Sequence, residues 1–141
     1  MISGHMDVAS AGVLAAGLLA EACETEGGLH LETVRGLAED LGRGLRRPAG
    51  GGGTDSLIEA ALACADLATL AACNVAALPD RGRPPAAAAT HLAAGAARAL
   101  VALGEAELGD REDAYAGNAL RDLRSAVWKA DLAVRQLGEA A

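Results

Sequence analysis

Aromatic residues are almost absent from this sequence, which contains Trp128, Tyr115 and no phenylalanine. The strands of β-sandwiches and β-barrels are rich in aromatic and β-branched side chains, so the composition excludes an ordinary all-β fold. Lysine is equally scarce, since Lys129 is the only one among the 12 basic residues. This preference for arginine, combined with abundant alanine and glycine, is typical of a GC-rich genome and indicates a bacterial source.

Positive charge is also in short supply. The chain has 12 basic and 19 acidic residues and a net charge of −7, which argues against non-specific binding to nucleic acid. The apolar stretch near the N-terminus, residues 8–20, is 13 residues long, whereas a transmembrane helix needs about 20. We therefore predict no nucleic-acid partner, no membrane span and no secretory signal peptide.

Cysteines are few and lack the spacing of metal ligands. Cys64 and Cys73 are nine residues apart, so on a helix they point to opposite sides, and Cys23 is distant in sequence. We expect the three to act as small buried apolar side chains in a reducing cytoplasm. The sequence therefore predicts no metal site and no cofactor.

Alanine and leucine dominate what is present, with 36 and 21 residues. An apolar share of 52% is too high for a disordered chain, and 141 residues fit one domain. Residues 1–6 include Gly4, His5 and Met6, which we interpret as an expression-tag remnant. Residues 7–141 are then expected to form a single helical domain.

Glycine, proline and capping residues divide the chain into five helical segments. The predicted helices cover residues 7–26, 29–47, 54–78, 84–108 and 110–138, with Asp110 as the cap of the last one. Because the connections are short, consecutive helices should be antiparallel. We therefore predict an all-α fold, an antiparallel up-and-down bundle of about five helices with an alanine-rich core.

The last predicted helix carries an apolar seam whose spacing alternates between four and three residues. Its members are Ala116, Leu120, Leu123, Val127, Ala130, Val134 and Leu137. A one-sided pattern of this kind is typical of a helix on the outside of a bundle. We predict that Trp128 and Leu132 lie just beside this seam, where they could cover a second helix or a partner subunit.

The third and fourth helices are apolar around most of their circumference, which is typical of central helices. Alanine-rich helices approach closely but remove little apolar area from water, so a monomer would have marginal stability. Association would bury more surface. The sequence therefore predicts a homo-oligomer, most simply a twofold dimer, and allows a protein partner.

Polar residues on these two central helices form narrow strips that could bind a ligand. The strip residues are Glu59, Asp66, Asn74, His91, Arg98 and Glu105. In an antiparallel hairpin, residues at the same level along the two helix axes form three pairs: Asn74 with His91, Asp66 with Arg98, and Glu59 with Glu105.

The chemistry of the strips depends on their burial. In an internal groove, Asp66 and Arg98 would form a desolvated ion pair. Glu59 and Glu105 would be close like charges, so either one of them would have a raised pKa or both would bind a cation. His91 could then transfer a proton near neutral pH. If the strips face water, the same ion pair is an ordinary surface contact.

Two known catalytic arrangements are missing from the sequence. Di-iron bundles need a glutamate three residues before a histidine on two helices, but Gly27 and Ala88 hold those positions before His30 and His91. No serine outside residues 1–6 has the setting of a nucleophile elbow.

His91 and Gly95, four residues apart on one helix, resemble the histidine phosphotransfer domains of bacterial signalling, which are four-helix bundles. In those domains a lysine normally precedes the glycine, whereas this chain has Ala94. The resemblance covers two residues of one helix.

A glycine-rich turn over residues 48–54 resembles a local pattern of the formiminotransferase-cyclodeaminase family, and Gly117, Asn118 and Asp122 faintly match its C-terminal region. The resemblance covers about thirty residues and implies an all-helical, folate-handling protein with the turn near the ligand. The chain is too short between these blocks for the family's middle helices. Helix amides after such a turn could instead bind an anion, but Asp55 would repel it, so we interpret the turn as a flexible connector.

These observations predict a small cytoplasmic bundle that self-associates and acts as a binding or interaction module, without an assignable reaction. The alternative is a ligand-binding or enzymatic bundle that uses the polar strips or the glycine-rich turn. The alternative requires the strip residues to line a closed pocket.

Overall fold

A computed structural model of the chain describes residues 5–24, 29–46 and 53–140. Within these ranges the structure contains five α-helices and no strand. The helices are α1 (His5–Cys23), α2 (Leu29–Arg46), α3 (Thr54–Asn74), α4 (Arg83–Leu108) and α5 (Ala114–Ala140). The predicted all-α helical bundle is confirmed.

The start of α1 and the end of α3 differ from their predicted positions. The structure places residues 5 and 6, interpreted above as part of a tag, inside α1. The predicted end of α1 at residue 26 lies outside the described residues. α3 stops at Asn74, and a single 3₁₀ turn (Val75–Ala77) follows it. Leu78 is extended because it precedes Pro79, whose ring disfavours helical backbone at the preceding residue.

The connection between α4 and α5 is longer than predicted. α4 ends at Leu108, and the next residue, Gly109, has a φ of 55° and donates its backbone N–H to the carbonyl of Glu105 at 3.0 Å. α5 begins only at Ala114, and its cap is Asp113, whose Oδ1 accepts the backbone N–H of Ala116 at 2.8 Å. The prediction that Asp110 caps this helix is therefore wrong.

α3 and α4 form the centre of the bundle, as their all-round apolar character predicts. α5 packs across both of them, while α1 packs against α4 and α2. α2 contacts mainly α1 and lies at the edge. The two central helices are therefore covered from several sides by the other three.

Gly104 marks the tightest junction of α3, α4 and α5. A Cβ atom on this glycine would lie 2.8 Å from Leu57 of α3 and 2.9 Å from Leu123 of α5. Leu57 is near the start of α3 and Gly104 is near the end of α4, so these helices run in opposite directions. The absence of a side chain at residue 104 lets the three helices meet.

The core is thin because most of it is alanine. Of the 37 buried apolar residues in the described ranges, 21 are alanine. The largest fully buried side chains are leucines, including Leu57, Leu67, Leu100 and Leu123. The bundle therefore buries little apolar area per residue for its size.

Three of the seven predicted seam positions on α5 are one residue away from the positions that are buried in the structure. Four seam residues, Ala116, Leu123, Ala130 and Leu137, are buried as predicted. Ala119, Ala126 and Ala133 are buried in place of the predicted Leu120, Val127 and Val134, which are half-buried at the flank. Alanine at the line of closest contact lets α5 approach α3 and α4 closely.

Two stretches, Thr54–Ala77 and Asp80–Leu108, are long and apolar enough to cross a membrane by length and composition alone. They contain α3 and α4, whose most apolar windows are half covered by the rest of the bundle. Their exposed sides carry charged residues such as Asp66 and Arg98. The core helices of soluble proteins pass the same test, so length and composition alone are weak evidence for a membrane span.

Candidate interaction surface

The six predicted strip residues lie mainly on the surface. Asn74 is buried, whereas the other five, Glu59, Asp66, His91, Arg98 and Glu105, are exposed. They occupy the outer sides of α3 and α4, so they do not enclose a common internal groove. Whether they bind a ligand stays a prediction.

Asp66 and Arg98 form ion pairs with α5 and not with each other. Lys129 Nζ lies 3.3 Å from Asp66 Oδ1, and Arg98 Nη2 lies 3.0 Å from Asp131 Oδ1. All four side chains remain between 40% and 60% exposed. Of the two alternatives, the desolvated Asp66–Arg98 pair of an internal groove does not form, and the same two residues do not form a surface pair either, because α5 supplies a different partner to each.

Asn74 also has partners that the sequence did not indicate. Its Oδ1 accepts a hydrogen bond from His30 Nε2 at 2.8 Å, and its Nδ2 donates to the carbonyl of Leu70 at 2.8 Å. The first bond connects the start of α2 with the end of α3. Sequence reasoning missed His30 because no local pattern links two residues that are 44 positions apart.

The remaining strip residues form no recognisable site. His91, Glu59 and Glu105 have no hydrogen bond or ion pair to another side chain of the described ranges. Within those ranges, no three His, Cys, Asp or Glu side chains are grouped as metal ligands. The exposed strips therefore show the arrangement of ordinary solvated helix faces with two ion pairs to α5.

Trp128 lies on the outer side of α5, opposite the core. It is 64% exposed, and the buried residues of the helix are about half a turn away. The prediction that Trp128 lies just beside the seam is therefore wrong. Leu132, one turn further along, is half-buried.

Three arginines share this outer side with Trp128. Arg121, Arg124 and Arg135 lie within about 60° of Trp128 around the helix axis and are exposed. None of them has an ion-pair partner in the described part of the chain. We call these four residues the α5 arginine face.

A second charged region covers the last turn of α4 and its connection to α5. Glu105, Glu107, Asp110 and Glu112 are exposed within eight residues, and their side chains have no partner among the described residues. We call these four residues the acidic end. The nearby Arg111 is paired with Asp113 at 2.8 Å, so it does not neutralise them.

Tyr115, the other aromatic residue, lies beside the acidic end and is 40% exposed. Its hydroxyl donates a hydrogen bond to Asp55 Oδ1 at 2.5 Å, and the Arg111 guanidinium lies 5.3 Å from the ring centre. The hydrogen bond to the Asp55 carboxylate raises the pKa of Tyr115 above its ordinary value, because it favours the neutral phenol. These contacts hold the ring in place while leaving part of it open.

A groove of about 210 Å³ lies between α1 and α2. Its walls are mostly small, with Gly17 and Ala20 on one side and Gly42 on the other, and its charged residues are Glu39, Arg43 and Arg46. Arg43 is paired with Asp40 of the same helix. The groove is half open to solvent and contains none of the predicted site residues.

The cysteines divide into two buried thiols and one exposed thiol. Burial raises the pKa of Cys64 to about 12. It also raises the pKa of Cys23, although the positive charge of Arg35 partly opposes the shift. Cys73 is exposed, which corrects the expectation that all three are buried, and its position confirms that Cys64 and Cys73 point to opposite sides of α3.

Most of the glycine-rich turn, residues 48–52, lies outside the described residues. Gly53 has a φ of 88° and precedes α3 without a side-chain cap. Gly117, Asn118 and Asp122, which carried the second part of the family resemblance, are exposed on α5. The folate-binding interpretation therefore stays a prediction.

In comparisons with known proteins, no family model matches this chain and no curated protein sequence matches it. Its function is therefore inferred from the surfaces of the bundle.

Proposed function

We propose that this chain is a small helical interaction module that works by self-association, with no reaction assigned to it. The observation that carries the proposal is the placement of its two aromatic side chains. Trp128 and Tyr115 are both exposed, whereas the core is mainly alanine. Aromatic side chains supply large buried areas when they are covered, and they are enriched in protein interfaces.

The polar strips support this proposal better than the enzymatic alternative. A catalytic or ligand site needs convergent polar groups in a concave pocket. Five of the six strip residues are exposed on convex helix surfaces, and Asp66 and Arg98 position α5. We propose the cytoplasm as the compartment, because the three cysteines are free thiols.

The test is the molar mass in solution, measured by light scattering after size exclusion at about 1 to 200 µM protein. We expect a mass above the 14.0 kDa of one chain, and that it rises with concentration. Trp128→Ser should lower the mass. A mass of 14.0 kDa at every concentration would contradict the proposal.

A matched variant separates the contribution of Trp128 from that of another exposed apolar side chain. Leu14 is 58% exposed on α1, away from the α5 arginine face. Leu14→Ser removes a similar exposed apolar side chain, so it controls for a general effect on solubility. If Leu14→Ser alone lowers the mass, self-association uses α1 and not α5.

A further inference from the structure

We propose that copies of this chain associate head to side, with the α5 arginine face of one copy covering the acidic end of the next. The inference rests on the proposed self-association and specifies its contact. Both surfaces belong to the same chain, so the occupant of each is a second copy. The contact is heterologous, because the two surfaces that meet are different.

The charge distribution on α5 supports this contact. The chain has a net charge of −7, yet its outermost α5 surface carries Arg121, Arg124 and Arg135 without partners in the described ranges. The other described basic side chains without an ion pair, Arg46 and Arg81, lie on other elements. Unpaired positive charge is therefore concentrated around Trp128, where it would attract a negative surface.

The acidic end supplies that negative surface. Four carboxylates lie within residues 105–112, and the single arginine among them, Arg111, is occupied by Asp113 and Tyr115. Tyr115 is next to these carboxylates, just as Trp128 is next to the arginines. The arginines outnumber the one unpaired carboxylate on the outer side of α5, Glu139. Each surface thus combines an excess of one sign of charge with an exposed aromatic ring, so that opposite charges and apolar rings would meet in one contact.

A symmetric pairing of two α5 helices is less favourable. Trp128 lies one residue from the middle of α5, so a twofold antiparallel pair would be centred on it. That register places Arg121 opposite Arg135 of the second copy. Facing like charges destabilise such a contact, whereas the head-to-side arrangement joins opposite charges.

Charge reversal with complementation tests the contact. Arg121→Glu/Arg124→Glu reverses the α5 arginine face, and Glu107→Arg/Asp110→Arg reverses the acidic end. We expect each double variant alone to associate at least about tenfold more weakly than the wild type. An equimolar mixture of the two should associate again, because each reversed surface then meets a complementary one.

The matched control is Arg46→Glu/Arg81→Glu, which makes the same change in net charge as the arginine-face variant but on α2 and the 3₁₀ turn before α4. We expect it to associate like the wild type. Far-UV circular dichroism of each variant shows whether the helices are intact. A variant that loses helicity is replaced by Arg121→Gln/Arg124→Gln or Glu107→Gln/Asp110→Gln, which remove the charge without reversing it.

Trp128 is the only tryptophan, so its emission reports on the α5 arginine face alone. We expect the emission maximum to shift to shorter wavelength as the protein concentration rises. Raising NaCl from about 0.05 to about 0.5 M should reverse the shift, because salt screens the charges of the contact.

The outcomes distinguish this inference from the proposed function. If the wild type associates, and both double variants and their mixture associate as strongly as the wild type, the head-to-side contact is wrong. The proposed self-association is then still supported. A wild-type protein that stays at 14.0 kDa overturns both proposals.

Discussion

Lys129 and Asp131 are two positions apart on α5, so their side chains leave the helix on opposite flanks. One reaches Asp66 on α3 and the other reaches Arg98 on α4. Because these side chains are about half exposed, each pair contributes less than about 1 kcal/mol. The two pairs therefore orient α5 but add little to the free energy of unfolding.

Replacing Asp66 with alanine tests this assignment. We expect Asp66→Ala to lower the free energy of unfolding by less than about 1 kcal/mol in urea denaturation. The fully buried neighbour Leu67 is the control, since Leu67→Ala should cost about 2 to 5 kcal/mol. A loss of about 3 kcal/mol or more for Asp66→Ala would indicate a buried ion pair instead.

The three thiols should differ in reactivity in the folded protein. Burial raises the pKa of Cys64 to about 12 and also raises that of Cys23, so neither forms much thiolate near pH 8. We expect Cys73 to react first with a disulfide reagent, and all three to react in urea. In Cys73→Ser the fast phase should disappear. Equal rates for the three thiols in the native protein would contradict this assignment.

Glycine has opposite roles at two points along α4. At Gly104 a side chain would clash with Leu57 and Leu123, so the glycine is required by the packing of three helices. At Gly95 a Cβ atom would meet no other atom within 4 Å, and the residue is exposed. The same residue type is thus needed for packing at one site and costs helix stability at the other.

Alanine substitution at both positions separates the two roles. We expect Gly104→Ala to lower the free energy of unfolding. Overpacking costs about 1 to 3 kcal/mol, whereas the gain in helix propensity is at most about 1 kcal/mol. Gly95→Ala should leave stability unchanged or raise it by up to about 1 kcal/mol. Thermal and urea denaturation measure both. Equal effects would show that the three helices are less tightly packed at residue 104 than the structure indicates.

The start of α5 predicts a pH dependence. The hydrogen bonds from the backbone N–H of Ala116 and from the Arg111 guanidinium hold the pKa of Asp113 below its ordinary value of 3.8. The cap therefore stabilises the folded state above that pH, and its contribution is lost as the pH falls through the folded-state pKa. We expect Asp113→Ala to lower the Tm at pH 7 and to have a smaller effect at about pH 2. Asp113→Asn keeps the capping oxygen, so it should lower the Tm less than Asp113→Ala. If Asp113→Ala changes the Tm equally at both pH values, the cap does not cause the pH dependence.

As a whole, the molecule combines a thin core with separated charges. Alanine predominates in the described core, and both aromatic rings are at the surface. Positive charge collects on the outer side of α5, while four carboxylates lie at the acidic end. A bundle of this kind gains apolar burial and charge pairing together when copies associate.

Association should therefore stabilise the folded state by mass action. We expect the Tm to rise when the protein concentration increases from about 2 to about 200 µM. The Tm of Arg121→Glu/Arg124→Glu should change less over the same range. A wild-type Tm that is independent of concentration would show that association and folding are not coupled.

Local patterns were sufficient for the class of fold and for the central position of α3 and α4. Helix propensity, helix-breaking residues and the width of each apolar face are properties of neighbouring residues, and they act before tertiary contacts form. The same patterns correctly indicated four of the seam residues of α5. They could not indicate the shift towards Ala119, Ala126 and Ala133, since that depends on how closely the helices approach.

The amino-acid sequence by itself determined an alanine-rich helical bundle with an excess of acidic residues. Only the tertiary structure decided which way Trp128 faces, that Asp66 and Arg98 pair with α5, and that His30 reaches Asn74. The physical reason is that these contacts join residues 33 to 63 positions apart or depend on the rotation of a helix about its axis. Both are set by the packing of whole helices, which no short segment of sequence encodes.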